Sequence, residues 1–161
     1  MKNLFVFIVL FSFVLGYGQK SKLSAEHYHK VREVFRQKMP DNSVAVLFSA
    51  PIRNRANDVD YIYHQDPNFF YLTGWHQPHS VLMIYKNPQT DSQGVYYEKI
   101  YVPERDVYME MWNGKRYDLE QVKLLGFERV AERSDFKNDT QILDRFDRVL
   151  MFEFKNDIRG Q

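Results

Sequence analysis

The sequence predicts an α/β domain in which a mixed β-sheet is flanked by helices. Helix-like and strand-like segments alternate in the second half of the chain, and the middle contains strand-like runs joined by a turn. Of the 161 residues, 44% are hydrophobic and 16% are aromatic. This composition is sufficient to bury a core, and it excludes a wholly disordered chain.

The first eighteen residues are expected to be an export signal rather than part of the fold. Lys2 precedes an apolar stretch from Leu4 to Leu15, and a small-x-small pattern follows at positions 16–18 (Gly-Tyr-Gly). This is the layout of a secretory signal peptide, and the apolar stretch is shorter than the ~20 residues of a membrane anchor. We therefore expect cleavage after Gly18 and a soluble protein that is exported to the periplasm or secreted.

The first helix is expected to begin at Ser24, a favourable N-cap, and to run to about Met39. Apolar residues at helical spacing mark its buried face: Tyr28, Val31, Phe35 and Met39. Residues 43–48 (SVAVLF) form an almost continuous apolar run and predict a buried strand. Residues 49–60 have no periodicity and predict a loop.

The middle of the chain predicts three further strands. Phe69–Thr73 and Val81–Tyr85 are apolar runs on either side of a segment rich in turn residues. A dense turn signal at residues 87–94 (NPQTDSQG) is followed by a strand-like run, Val95–Val102. This order predicts a β-hairpin.

The last third of the chain predicts alternating helices and strands. Asp118 and Gln121 have the spacing of a capping box, and the helix that they begin is expected to end at Leu125, before Gly126. A short strand is expected at residues 128–131, a helix at 139–146 and a final strand at 148–154.

Composition and motifs exclude several classes of function. The chain contains no cysteine, which excludes disulfides, thiol catalysis and cysteine-based metal sites. Its 22 basic and 21 acidic residues argue against a dedicated nucleic-acid binder. No phosphate loop, nucleophile elbow, dinucleotide fingerprint or zinc-protease motif is present. His76 and His79 flank Pro78 in a turn without a nearby acid, so we expect surface residues rather than metal ligands.

The most informative stretch is residues 53–75, RNRANDVDYIYHQDPNFFYLTGW. Opposite charges stand there beside a dense run of aromatic residues interleaved with amides and carboxylates. Pro67 and its polar neighbours predict a turn that leads into the strand at 69–73. Because buried polar groups must find hydrogen-bond partners, we expect Arg55, Asp58 and Gln65 to form one network that rigidifies this face.

This stretch resembles the N-terminal domain of Xaa-Pro aminopeptidase (aminopeptidase P), in the creatinase/prolidase group of metallopeptidases. The family pattern is an arginine, an acid, an aromatic pair and then Gln-Asp/Asn-x-Asp/Asn-Phe-x-Tyr-Leu/Phe-Thr-Gly. The matching residues are Arg55, Asp58, Tyr61, Tyr63, Gln65, Asp66, Asn68, Phe69, Tyr71, Leu72, Thr73 and Gly74. Ile62 and His64 depart from the pattern, because the family commonly has Pro and Arg there. The resemblance covers about residues 23–155 and implies the ribonuclease H-like α/β layer of this family.

The resemblance implies a function that is divided between two domains. Full-length members release the N-terminal residue that precedes a proline, with two metal ions, usually Mn²⁺, held in a C-terminal pita-bread domain. That catalytic domain is absent from the 161 residues, which implies a fragment or truncated product. We therefore expect no catalytic residue, no metal site and no activity in this chain alone. Its implied partners are the missing catalytic domain, further copies in a homo-oligomer and peptides with proline second, but not nucleic acid.

Trp112 is the residue to which the resemblance assigns substrate contact. Residues 111–116 (MWNGKR) are similar to the family's Trp-x-Gly-basic-Arg segment, and in tetrameric members the matching tryptophan looks into a neighbouring subunit's active site. A core tryptophan that follows the amphipathic segment 107–111 is an equal alternative. Two other functions stay open: a stand-alone binding or assembly module, and the N-terminal domain of a prolidase-type dipeptidase or an enzyme of creatine-like compounds.

Overall fold

A computed structural model describes residues 23–151 of the protein. The predicted export signal and the end of the last predicted strand lie outside the described residues. The elements have these bounds: α1 (Ala25–Lys38), β1 (Ser43–Phe48), β2 (Asn54–Ala56), β3 (Val59–Asp60), α2 (Pro67–Thr73), β4 (Val81–Asp91), β5 (Gly94–Val102), α3 (Val107–Asn113), α4 (Leu119–Lys123), β6 (Val130–Glu132), a 3₁₀ turn (Arg133–Asp135), α5 (Phe136–Asp139), a second 3₁₀ segment (Thr140–Arg145) and β7 (Arg148–Met151).

Five strands form a mixed sheet in the order β6-β5-β4-β1-β7, which confirms the predicted fold class. β1 pairs antiparallel with β4, with Ala45 opposite Ile84, and parallel with β7. β5 pairs antiparallel with β4 and parallel with β6. β2 and β3 form a separate two-stranded hairpin.

A hydrophobic layer covers each face of the sheet. On one face, side chains of α2 and α4 and the buried Trp75 pack over Leu47 and Ile84, and α1 adds half-buried Val31 and Phe35. On the other face, Phe136 and the 3₁₀ segment after it pack over strand residues that include Val46 and Tyr101. No helix within residues 23–151 is long and apolar enough to cross a membrane.

Several predicted elements are confirmed with small changes of length. Ser24 caps α1, since its hydroxyl accepts from the His27 N–H at 3.1 Å. Asp118 and Gln121 form the predicted capping box at the start of α4, which ends at Lys123 instead of Leu125. The predicted hairpin is β4–β5, and the short strand after it lies at Val130–Glu132 rather than at 128–131.

The prediction of a strand at residues 69–73 is wrong, because this segment is helix α2. The Asp66 carboxylate accepts from the Phe69 N–H at 2.8 Å, and Pro67 occupies the first turn, where its missing N–H leaves no bond unmade. Gly74 ends the helix with φ +65°, and its N–H donates to the Phe70 carbonyl at 2.7 Å. An apolar run of five residues fits either structure, and here the two caps decide.

Three boundaries near turns also differ from the prediction. Residues 49–60 are not a simple loop, because they contain the β2–β3 hairpin, whose turn includes Asn57 at φ +52°. The turn predicted at 87–94 shrinks to about two residues, since β4 continues to Asp91. Pro88 is accommodated where the β4–β5 pairing is irregular, between Ile84 and Gln89. The helix predicted at 139–146 is mostly the 3₁₀ segment Thr140–Arg145.

A candidate interaction site at one end of the sheet

The connections that follow β1 and β5 leave the sheet at the same end. β1 and β5 are both antiparallel to β4, so they run in one direction, and β6 and β7 run with them. The hairpin β2–β3 follows β1, and helix α3 follows β5. The two segments that the sequence marks as informative therefore start from the same end of the sheet.

Helix α3 presents large apolar side chains to solvent. Trp112 is 74% exposed and Met111 is 75% exposed. Three further side chains of the same helix are exposed: Val107, Tyr108 and Met109. These exposures exclude the core alternative for Trp112. Large apolar side chains exposed together on one short helix typically mark a binding site on a globular domain.

The caps of α3 come from polar residues at its two ends. The Asp106 carboxylate accepts from the Tyr108 N–H at 2.9 Å and from the Met109 N–H at 3.1 Å. At the other end Gly114, at φ +80°, donates its N–H to the Glu110 carbonyl at 3.0 Å. The helix was not predicted, although Asp106 and Gly114 are the sequence signals that begin and end it.

Glu110 links α3 to the chain on both sides of the helix. Its carboxylate accepts two bonds from the Arg105 guanidinium, at 2.8 and 3.1 Å, and one from the Arg116 N–H at 3.1 Å. The bond from Arg105 holds the pKa of Glu110 below its ordinary value. The carboxylate therefore stays ionised at neutral pH and holds the residues on both sides of the helix that carries Trp112 to one another.

The predicted network of Arg55, Asp58 and Gln65 is not formed. Arg55 and Asp58 are exposed on the β2–β3 hairpin, where the Arg55 guanidinium carbon lies 5.9 Å from the centre of the Tyr61 ring. Gln65 is half-buried and makes its bonds elsewhere. Tyr61 is 57% exposed and the neighbouring Ile62 is 84% exposed, so the segment directly after this hairpin exposes further apolar side chains.

Gln65 satisfies four backbone groups from three segments of the chain. Its Oε1 accepts from the N–H groups of Ala50 and Asp66, both at 2.8 Å. Its Nε2 donates to the carbonyls of Trp75 and Gln77, at 3.1 and 3.2 Å. This uses the complete hydrogen-bonding capacity of one amide side chain. Gln65 therefore joins the end of β1 to the segments before α2 and before β4.

The other residues of the family motif mostly build α2 and its ends. Thr73 donates its hydroxyl to the Phe69 carbonyl at 2.6 Å and accepts from the Trp75 N–H at 3.0 Å. Phe69 is fully buried, Asn68 is half-buried, and Tyr71 is 65% exposed on the outer side of α2. In the described structure these motif residues thus position the backbone, and Tyr71 faces solvent.

A buried ion pair on the inner face of α1 was not predicted from the sequence. Arg32 is 1% exposed, and its Nε donates to the Glu98 Oε2 at 2.6 Å. The same guanidinium donates to the carbonyls of Leu72 and Gly126, at 3.1 and 2.7 Å. The position of Arg32 in the sequence could have indicated that it is buried. It is four residues after Tyr28 and three before Phe35, so it lies on the apolar face of the helix.

The two histidines that precede β4 lie on the surface. His76 and His79 are exposed, and the His76 ring lies 4.3 Å from that of Phe70, measured between centroids. Between residues 23 and 151 no three His, Asp or Glu side chains gather where they could hold a metal ion.

Comparison with known proteins gives one consistent result. Residues 28–150 match the family model described as aminopeptidase P, N-terminal domain. The Xaa-Pro aminopeptidase of Haemophilus influenzae is 34% identical over 137 residues, which are 84% of this chain and 28% of that protein. The Escherichia coli Xaa-Pro aminopeptidase is 29% identical over 131 residues, 80% of this chain and 29% of that protein.

Comparison of the fold with solved structures leads to the same family. The structure of Escherichia coli aminopeptidase P with the inhibitor Pro-Leu superimposes with a TM-score of 0.73 at 27% identity, over 85% of this chain and 31% of that one. The chain thus spans less than a third of the length of each of these relatives.

Proposed function

Because this chain belongs to the aminopeptidase P N-terminal domain family, we propose that it is the non-catalytic N-terminal part of an exported Xaa-Pro aminopeptidase. Such an enzyme is a metallopeptidase that releases the N-terminal residue preceding a proline. The cleavage would take place in a C-terminal domain that holds two divalent metal ions, for which we expect manganese. This chain would form contacts between subunits of a homo-oligomer and part of the active-site mouth.

The proposal rests on the family match over residues 28–150, and the observation that supports a contact with substrate is the exposure of Trp112 on a helix whose two ends are held by hydrogen bonds. A large aromatic side chain at 74% exposure loses contact with water only when a partner covers it. A flat indole ring suits the ring of a substrate proline, and the exposed Lys115 nearby adds a donor for the peptide. We therefore assign Trp112 to contact with a peptide substrate in the assembled enzyme.

A simple genetic test is available for the proposal that catalysis belongs to a C-terminal domain beyond this one. The reading frame that encodes these residues should continue into a domain with two Asp, one His and two Glu as metal ligands. A stop codon directly after Gln161 in the native gene would contradict the proposal, and the stand-alone module would then have to be considered again.

Replacing Trp112 should reduce catalysis in the complete enzyme. In W112A we expect kcat/KM for a peptide with proline second to fall about tenfold, the loss of about 1.4 kcal/mol of transition-state stabilisation. W112F should lose less, because it retains a flat ring. The free energy of unfolding should change by less than about 0.5 kcal/mol, since Trp112 is exposed.

The matched control is L124A, at a side chain that is 81% exposed after helix α4 and outside the proposed surface. It should leave kcat/KM unchanged. If W112A and L124A have the same kcat/KM as the parent enzyme, Trp112 does not contact the substrate.

A further inference from the structure

A cleft of about 240 Å³ lies between helix α1 and strand β5, on the sheet face that α1, α2 and α4 cover. Its walls include side chains of both charges: His29, Glu33, Arg36, Tyr97, Glu98 and Glu128. The positions of Glu33 and Arg36, three residues apart on α1, place their side chains on one face of the helix.

One oxygen in the wall of this cleft lacks a hydrogen-bond partner. The Glu98 side chain is 5% exposed, and its Oε2 accepts from Arg32. Its Oε1 is buried, and no donor of the described chain reaches it. A buried acceptor without a partner is costly, so a donor bound in the cleft beside Glu98 would stabilise this site.

Two further charges of the cleft have no ion-pair partner among residues 23–151. Arg36 forms no salt bridge, and its guanidinium carbon lies 4.0 Å from the centre of the Tyr97 ring. The Glu33 carboxylate accepts only a long bond, 3.4 Å, from Gln37. Nearby, Glu128 is already engaged, because it accepts from the Tyr97 N–H and lies 3.5 Å from His29.

We propose that the cleft binds a free α-amino acid in its zwitterionic form. The carboxylate would pair with Arg36, and the ammonium group would lie on the side of Glu33 and Glu98. Arg32 also lines the cleft, but its guanidinium already donates to Glu98 and to two carbonyls, so an inorganic anion would find Arg36 as the cation without an ion pair, beside three glutamates. A metal cation lacks a suitable set of three ligands among the described residues. A ligand with one charge of each sign complements both the free cation and the unsatisfied carboxylates.

The test is calorimetric titration of the 161-residue chain with L-leucine, together with butylamine and propionate, each of which carries only one of the two charges. We expect saturable binding of leucine, and at least tenfold weaker binding of either partial ligand. R36Q and E33Q should each weaken leucine binding at least tenfold, because each removes one charge-assisted contact. K30Q, on the same helix but outside the cleft, should bind leucine as the parent does.

The inference is overturned if leucine shows no saturable binding to the folded chain. It is also overturned if butylamine or propionate binds as tightly as leucine, or if R36Q and E33Q leave leucine binding unchanged. These measurements need no catalytic domain, so their outcome is independent of the function proposed above.

Discussion

Arg32→Met is expected to lower the free energy of unfolding by about 3–5 kcal/mol, the usual cost of removing one member of a buried ion pair. The guanidinium holds together four parts of the fold. It belongs to α1, pairs with Glu98 of β5, and donates to carbonyls at the end of α2 and after α4. Its carbon also lies 4.5 Å from the centre of the Phe127 ring. Methionine retains the apolar stem but leaves a buried carboxylate and two carbonyls without their donor.

Urea denaturation at neutral pH, followed by the fluorescence of the buried Trp75, measures this loss. The double variant R32M/E98M should be more stable than R32M, because it removes the uncompensated buried charge. Arg32→Lys, which keeps a positive charge, is a milder variant in case R32M does not fold. A loss of less than about 1 kcal/mol in R32M would show that Arg32 does not join these elements.

Gln65→Ala is expected to cost about 2–4 kcal/mol of unfolding free energy, because four backbone groups lose their partner at once. Each unsatisfied group in a dry site costs about 1–3 kcal/mol, and partial access of water to this half-buried site reduces the sum. The alanine variant should also loosen the start of the β2–β3 hairpin, because the Ala50 N–H loses its acceptor.

Two matched variants separate this effect from a general loss of side-chain packing. Gln65→Glu keeps the size of the side chain but turns a carboxylate oxygen toward the carbonyls of Trp75 and Gln77, so at neutral pH it should be clearly less stable than the parent, which a loss of packing alone would not produce. Gln77→Ala should change the unfolding free energy by less than about 0.5 kcal/mol, because only the backbone of Gln77 takes part. Equal stabilities for Q65A and Q77A would refute the role of Gln65 in linking these backbone segments.

The fold class was predictable because the stronger signals were local and agreed with one another. The α1 cap at Ser24, the buried run Ser43–Phe48 and the capping box of Asp118 each predict an element without knowledge of its neighbours. The strand predicted at residues 69–73 was wrong because a five-residue, mostly apolar run is too short to show whether its periodicity is helical or extended. The caps at Asp66 and Gly74 determine that it is a helix. The continuation of β4 through Pro88 depends on its pairing with β5, which local sequence does not reveal.

The candidate site was predictable only in part. The motif around Gln65 was visible, and the structure gives it a definite role in joining backbone segments. Three of the four hydrogen-bond partners of Gln65 are ten or more residues away in the sequence. The local pattern therefore predicted the wrong partners, Arg55 and Asp58. The pairing of Arg32 with Glu98 spans 66 residues, and no short-range pattern indicates a contact of that kind.

The central claim is that this chain is a non-catalytic domain of a larger metallopeptidase. It is tested most directly by incubating the folded 161-residue chain with Mn²⁺ and a peptide that has proline in its second position, and by measuring release of the first residue. The account predicts no release above that of a sample with Mn²⁺ and no protein. Release that depends on both the chain and the metal, and that stops on chelation, would contradict it.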